Sequence, residues 1–270
     1  MYESEDGSIS VTFGTAQLEY DQSQEYRIAS VPLVGADYEH DFLGRYQSPK
    51  ADGLEIVRWM ILGVNDDALT EDTFDDLVSK IDRIGRGKLW TIDSQSTRRW
   101  CRARATKRPV PVIGAEIVNH MPVECEFKRS SDWYGETLQT GSQLLDSTPE
   151  PFNITNPGNM RVRDAIFRLR SNSATGFTNP QFVSQGVGMQ IASTRDAVSA
   201  DSELRIDAGE MRVEWSNDNG STYTDDYDKV TVPVTQVGLL DLEPGVNSII
   251  YTDGGTPNAT LEWEFYAAYA

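Results

Sequence analysis

The residues with the clearest catalytic potential are two histidines, His40 and His120, and two cysteines, Cys101 and Cys125. A histidine could serve as the base for a hydroxyl or thiol nucleophile, yet Gly-x-Ser-x-Gly, His-Glu-x-x-His and the phosphate-cradling Gly-x-x-x-x-Gly-Lys are all absent. His120 and Cys125 could form half a metal site. No two further soft ligands stand near them in the chain, so a histidine at a strand end is the simpler reading. Two cysteines are too few for a disulfide scaffold or a four-ligand zinc site. They leave room for one disulfide, although the opening Met1-Tyr2-Glu3-Ser4-Glu5-Asp6 is acidic where an export signal would be basic, which favours a reducing compartment and thiols. Carboxylates are abundant, but nothing selects a pair at the ~5–10 Å that glycoside hydrolysis requires. Asp218-Asn219-Gly220 superficially suggests a calcium loop; the residue five before Gly220 is Trp215, where that pattern needs Asp, so the stretch reads as a turn. The sequence therefore gives no expectation of an enzyme, a metal or a cofactor.

The one basic concentration comprises Arg98, Arg99, Arg102, Arg104, Lys107 and Arg108, with no acid between Ser94 and Ala115. Parity places Trp100, Arg102 and Arg104 on one face of a strand, where arginine and tryptophan could clamp phosphates. Against this stands the whole chain, with 24 Lys+Arg against 42 Asp+Glu and a net charge of −18. Stable nucleic-acid binding is not expected from such a balance, nor is attraction to an anionic membrane. The arginines are expected to pair with carboxylates, including those of another subunit, and Arg98, Arg99, Arg102 and Arg104 are the candidate inter-subunit contacts. The longest apolar stretch, Trp59 to Val64, is far shorter than the ~18–20 residues of a membrane-spanning helix.

The elements that must position these residues are mostly strands. At 270 residues the chain is long enough for about two domains. One helix is predicted from Thr70 to Gly87, where Phe74, Leu77, Val78, Ile81 and Ile84 recur at three- and four-residue spacing. Acids lead it, Lys80, Arg83 and Arg86 close it, and Gly85 and Gly87 supply stop signals. Strands flank it at Leu54–Leu62 and Leu89–Ile92, and period-two alternation marks two more over 100–106 and 121–128. From Gly135 to Pro151 the pattern lapses, which predicts a linker near 136–150 between domains 1–140 and 151–270. Beyond it, short alternating runs predict an antiparallel β-sandwich: 161–170, 181–182, 189–192, 204–206, 211–215, 230–234, 248–252 and 261–269. The fold class is thus mainly β with one helix.

The order of these signals resembles the distal tail proteins of long-tailed, siphovirus-type bacteriophages. The resemblance runs through the 54–62 strand, the helix, Gly87-Lys88-Leu89-Trp90, the arginine strand, and Val123-Glu124-Cys125-Glu126-Phe127 leading to Asp132-Trp133-Tyr134-Gly135. It continues through Asn156-Pro157-Gly158-Asn159, the Thr175-Gly176 and Asn179-Pro180 turns, Leu204-Arg205-Ile206-Asp207, Leu242-Glu243-Pro244-Gly245-Val246-Asn247 and the closing Leu261-to-Tyr266 strand. It implies an amino-terminal tail-tube-like domain closing into a homo-hexameric ring and a carboxy-terminal galectin-like sandwich. It also implies a non-enzymatic virion protein at the tail tip, assembled in the host cytoplasm, with the tail tube protein and tail-tip hub or receptor-binding proteins as partners. The chain has no room for the inserted carbohydrate-binding domain of longer members, and no His-x-Asn-x-Arg sugar cluster. A carbohydrate-binding sandwich fused to a small α+β domain is the alternative, with Trp215, Tyr223, Tyr227 and Trp263 as candidate sugar platforms.

Overall fold

The computed structural model describes residues 1–12, 17–26, 30–32, 39–41, 51–62, 67–92, 97–111, 120–129, 131–184, 189–233, 236 and 238–269. They form two compact units, Met1–Tyr134 and Gly135–Ala270. The first contains β1 (Tyr2–Ser4), β2 (Ser10–Val11), β3 (Gln17–Tyr26), β4 (Ser30–Pro32), β5 (Glu39–Asp41), β6 (Ala51–Leu62), α1 (Asp67–Ile84), β7 (Arg86–Ile92), β8 (Arg98–Ala105), β9 (Val110–Pro111) and β10 (His120–Arg129). Strand β11 (Trp133–Leu145) begins at its end and runs into the second unit. There follow β12 (Glu150–Asn156), β13 (Ile166–Ser171), β14 (Gln181–Ser184), β15 (Gln190–Ser193), β16 (Glu203–Asp207), β17 (Arg212–Ser216), β18 (Thr224–Asp225), β19 (Val230–Thr231), β20 (Gly245–Thr252) and β21 (Ala259–Tyr269).

In the first unit the strands lie in the order β3-β6-β10-β8-β7-β1-β2, antiparallel throughout, with β9 beside β10 and a separate β4-β5 pair. Helix α1 packs against β1, β2 and β6. Its Leu77, Ile81 and Ile84 are buried while Asp75, Asp76, Asp82 and Arg83 face water, so the three-and-four spacing marks the packed stripe as expected. The sheet contributes Tyr2, Leu89, Cys101, Ala103, Cys125 and Phe127 to the same core. Tyr2 anchors it twice, with its ring 4.7 Å from that of Phe127 and its hydroxyl donating to the Gly85 carbonyl at 2.6 Å. Burial pushes that phenol up to about 12. Cys101 and Cys125 are buried thiols, not a disulfide.

The helix boundaries differ from the sequence reading at both ends. It starts at Asp67, and it stops at Gly85, whose φ of 62° is the left-handed backbone that glycine tolerates best. Gly87, read as a second stop signal, lies on β7 opposite Ser4, and Arg86, read as the last helical cation, opens that strand.

The second unit is the expected antiparallel sandwich. One sheet runs β18-β17-β16-β13-β21-β11 and the other β12-β20-β14-β15-β19. Alternate residues point inward: Phe167, Leu169, Leu204, Val213 and Leu261 from the first sheet, Ile154, Phe182, Ile191, Ile249 and Tyr251 from the second. Phe152 of β12 stacks on Trp263 of β21, with ring centroids 6.2 Å apart and planes inclined by 18°. The segment predicted as a linker near 136–150 is a correction: most of it is β11, and β12 follows after a short turn. The expected run 161–170 begins pairing as a strand only at Ile166, and the end of the 230–234 run, Val234, lies outside the described residues.

Two motifs singled out in the sequence prove to be one structural device. Asn156, fully buried, donates its side-chain amide to the carbonyls of Met160 at 2.9 Å and Leu242 at 3.2 Å. Its carbonyl oxygen accepts from the Gly158 N–H at 2.9 Å. Asn247, also buried, accepts from the Glu243 N–H at 2.8 Å and donates to the carbonyls of Glu243 at 2.8 Å and Ile154 at 3.3 Å. Asn156 thus satisfies a carbonyl of the 242–247 motif and Asn247 one of β12, where β12 pairs with β20.

Candidate functional site

The arginine strand β8 is where sequence and geometry converge. It pairs with β7 so that Arg86 stands opposite Arg104, Lys88 opposite Arg102, Trp90 opposite Trp100 and Ile92 opposite Arg98. On its other side, Arg104 stands opposite Lys128 of β10. Because directly opposed residues share a face, one surface of this sheet carries two rows of like charges, Arg86-Arg104-Lys128 and Lys88-Arg102. Arg86, Arg98, Arg102, Arg104 and Lys128 are exposed and Lys88 is half-buried. The core-facing positions of the same strands are Leu89, Cys101, Ala103 and Phe127, so burial on one face dictates the register that aligns the cations on the other.

Of the four candidate contact residues, Arg98, Arg102 and Arg104 share this face. Arg99 does not: it has the parity of Cys101 and Ala103 and is half-buried. Trp100 is on the expected face but only 5% exposed, since Tyr134 packs on it with centroids 4.7 Å apart and the Lys88 ammonium lies 5.2 Å from its ring. Trp90 lies beside it at 6.3 Å, with the Arg98 guanidinium 4.7 Å from its own ring, and donates its indole N–H to Glu3 at 2.7 Å. The aromatic pair is thereby a floor beneath the cations. Lys107 and Arg108 are engaged locally, with Glu126 at 2.7 Å and Asp82 at 2.8 Å. Lys107 and Thr106, both hydrogen-bonded to Glu126, hold its carboxyl below the usual carboxylate range.

Sequence reading missed Arg86, Lys88 and Lys128. The signal was the period-two series Arg86-x-Lys88-x-Trp90, which a helix extended to Gly87 concealed. The opposed cations are expected to cost stability. Arg104→Gln should therefore raise the unfolding free energy by about 0.2–1 kcal/mol or leave it unchanged, as read from chemical-denaturation midpoints. A clear destabilisation would mean that the guanidinium is structural.

The second unit shows the opposite arrangement. Arg168 pairs with Glu264 and Arg170 with Glu203, both at 2.8 Å, while Arg205 reaches Glu214 at 2.7 Å and Asp207 at 2.9 Å. Its charges neutralise one another across β13, β16, β17 and β21. The candidate sugar platforms are largely used up internally: Trp215 is buried edge-on to Phe177 at 5.9 Å, Trp263 stacks on Phe152, and Tyr223 donates to Glu203. Tyr227 is exposed. In the Asp218-Asn219-Gly220 turn, Ser216 and Thr222 donate to Asp218 and its carboxyl is pulled down to about 2. His40 lies on β5 and His120 opens β10; their side chains lie outside the described part. Among the described residues no group of three or more His, Cys, Asp or Glu could hold a metal, and no helix is long and apolar enough to cross a membrane.

No protein-family model and no curated protein sequence matches the chain. Solved structures do. The SPP1 Dit (gp 19.1) protein, described as a paradigm of the hub adsorption apparatus in phages infecting Gram-positive bacteria, superposes with a TM-score of 0.60 at 13% identity, covering 93% of this chain and 92% of that one. The chain has the SPP1 Dit fold. Chains from the phage p2 baseplate in its activated conformation, with Sr and with Ca, align at TM-scores of 0.45 and identities of 9% and 8%, covering 93% and 92% of this chain and 91% and 88% of theirs.

Proposed function

We propose that this protein is a structural hub component at the distal end of a phage tail. It forms a homo-hexameric ring that adapts the tail tube to the tip used for host attachment and DNA delivery. The observation that carries the reading is the match of both units together, nearly end to end, to a phage hub adsorption protein. Shared fold alone does not assign function. It gains weight here because the order of motifs in the sequence resembles distal tail proteins independently of the superposition, and because the basic face of the first unit suits contact with carboxylate-rich subunits rather than a small substrate. In this reading the first unit builds the ring, and the sandwich, of galectin-like topology, stands at its periphery. The tail tube protein and tail-tip hub or receptor-binding proteins are the partners, and the protein resides in the virion.

Light scattering of the purified chain across a concentration series is expected to move from monomer mass toward six times that mass, without a stable dimer plateau, because a head-to-tail contact gains most when the ring closes. A dimer that persists at every concentration would argue for a two-fold interface and against the ring.

A further inference from the structure

We infer that the basic face of β7 and β8 is the docking surface for a second copy of this chain, and that the copy presents its acidic edge strand β3. The inference rests on the ring reading and names its contact. Three observations converge on it. Strands β7 and β8 contain no acid, and their cations stand directly opposite one another in like-charged rows. Arg86 and Arg104 are exposed, and among the described residues they form no ion pair. Strand β3 is the reverse case: it carries Glu19, Asp21 and Glu25 with no cation, and it is the terminal strand of the sheet, paired with β6 alone among the described residues.

Strand β3 and the basic strands are opposite in charge by sequence and lie at different places on one sheet, separated by β6 and β10. A contact between them is heterologous. Repeated from copy to copy it closes a ring or extends a filament. Charge complementarity also answers a general difficulty, since chains of net charge −18 repel one another unless the contact is locally attractive. Exposed Ile92 beside half-buried Trp90 gives the basic face an apolar margin.

A charge swap tests this, read by sedimentation velocity of the full chain over a concentration series. Arg86→Glu with Arg104→Glu, and separately Glu19→Lys with Asp21→Lys, should each weaken self-association by about tenfold or more. Combining all four should recover most of that loss. The neutral pair Arg86→Gln with Arg104→Gln guards against misfolding: its thermal midpoint should match or exceed that of the wild type while it still associates less tightly. The inference fails if association is indifferent to the basic changes, or if the combined variant recovers nothing. It also fails if the wild type stays monomeric throughout, or if gel shifts show duplex DNA held by these arginines with steep salt dependence. A six-fold ring seen in the native tail alongside any of these outcomes would leave the hub reading standing without this contact.

Discussion

Ile81→Ala is expected to lower the stability of the first unit by about 2–5 kcal/mol, the range for truncating a fully buried aliphatic side chain in a core that relaxes only partly. Ile81 is 1% exposed on the face of α1 that meets the sheet, flanked by Leu77 and Ile84. Asp75→Ala, on the water face, should stay within about 0.5 kcal/mol. Chemical denaturation followed by tryptophan fluorescence separates the two, because Trp90 and Trp100 report on this unit. Equal shifts for both variants would show that α1 does not pack as described.

Asn247→Ala should destabilise the sandwich by about 2–4 kcal/mol, since it orphans one buried and two partly buried backbone groups at up to about 1–3 kcal/mol each. The groups are the Glu243 N–H and the carbonyls of Glu243 and Ile154. Val246→Ala, at a neighbouring residue that is 67% exposed, is the control and should have little effect. Thermal unfolding of the two variants decides the matter. A mild Asn247→Ala would mean that the paired asparagine motifs are turn formers only and do not tie β12 to β20.

These two residues also show what the sequence made legible. Ile81 was readable because a helix on a sheet must place apolar residues at three- and four-residue spacing, and few other patterns imitate that. Asn247 was visible as part of a turn-like string. Its role was not, because satisfaction of the Ile154 carbonyl depends on a strand pairing that spans most of the sandwich. Strand β11 was misread as a linker for a related reason. Its positions Gln139, Gly141 and Gln143 are not apolar, because bulk is supplied from across the sheet: the Trp263 ring lies so close over Gly141 that a Cβ there would fall 2.4 Å from it. Local composition cannot report a core side chain contributed by a strand more than a hundred residues away.

The basic face was half legible. Parity gave Arg102 and Arg104 a common side and put Arg99 on the other, but a cluster read along the chain kept all four arginines together. Register then added Arg86, Lys88 and Lys128, which lie on other strands and share nothing with the arginine run in sequence. What distinguishes this face from the salt-bridged face of the sandwich is the absence of alternation. Directly opposed like charges repel, whereas opposed charges of both signs pair across the strands.

Electron cryomicroscopy of the native particle decides whether copies of this chain form a ring between tail tube and tip. Six copies are expected around a central opening at the distal end of the tube. Copies located away from any tail, or a ring whose symmetry cannot match a six-fold tube, would contradict it.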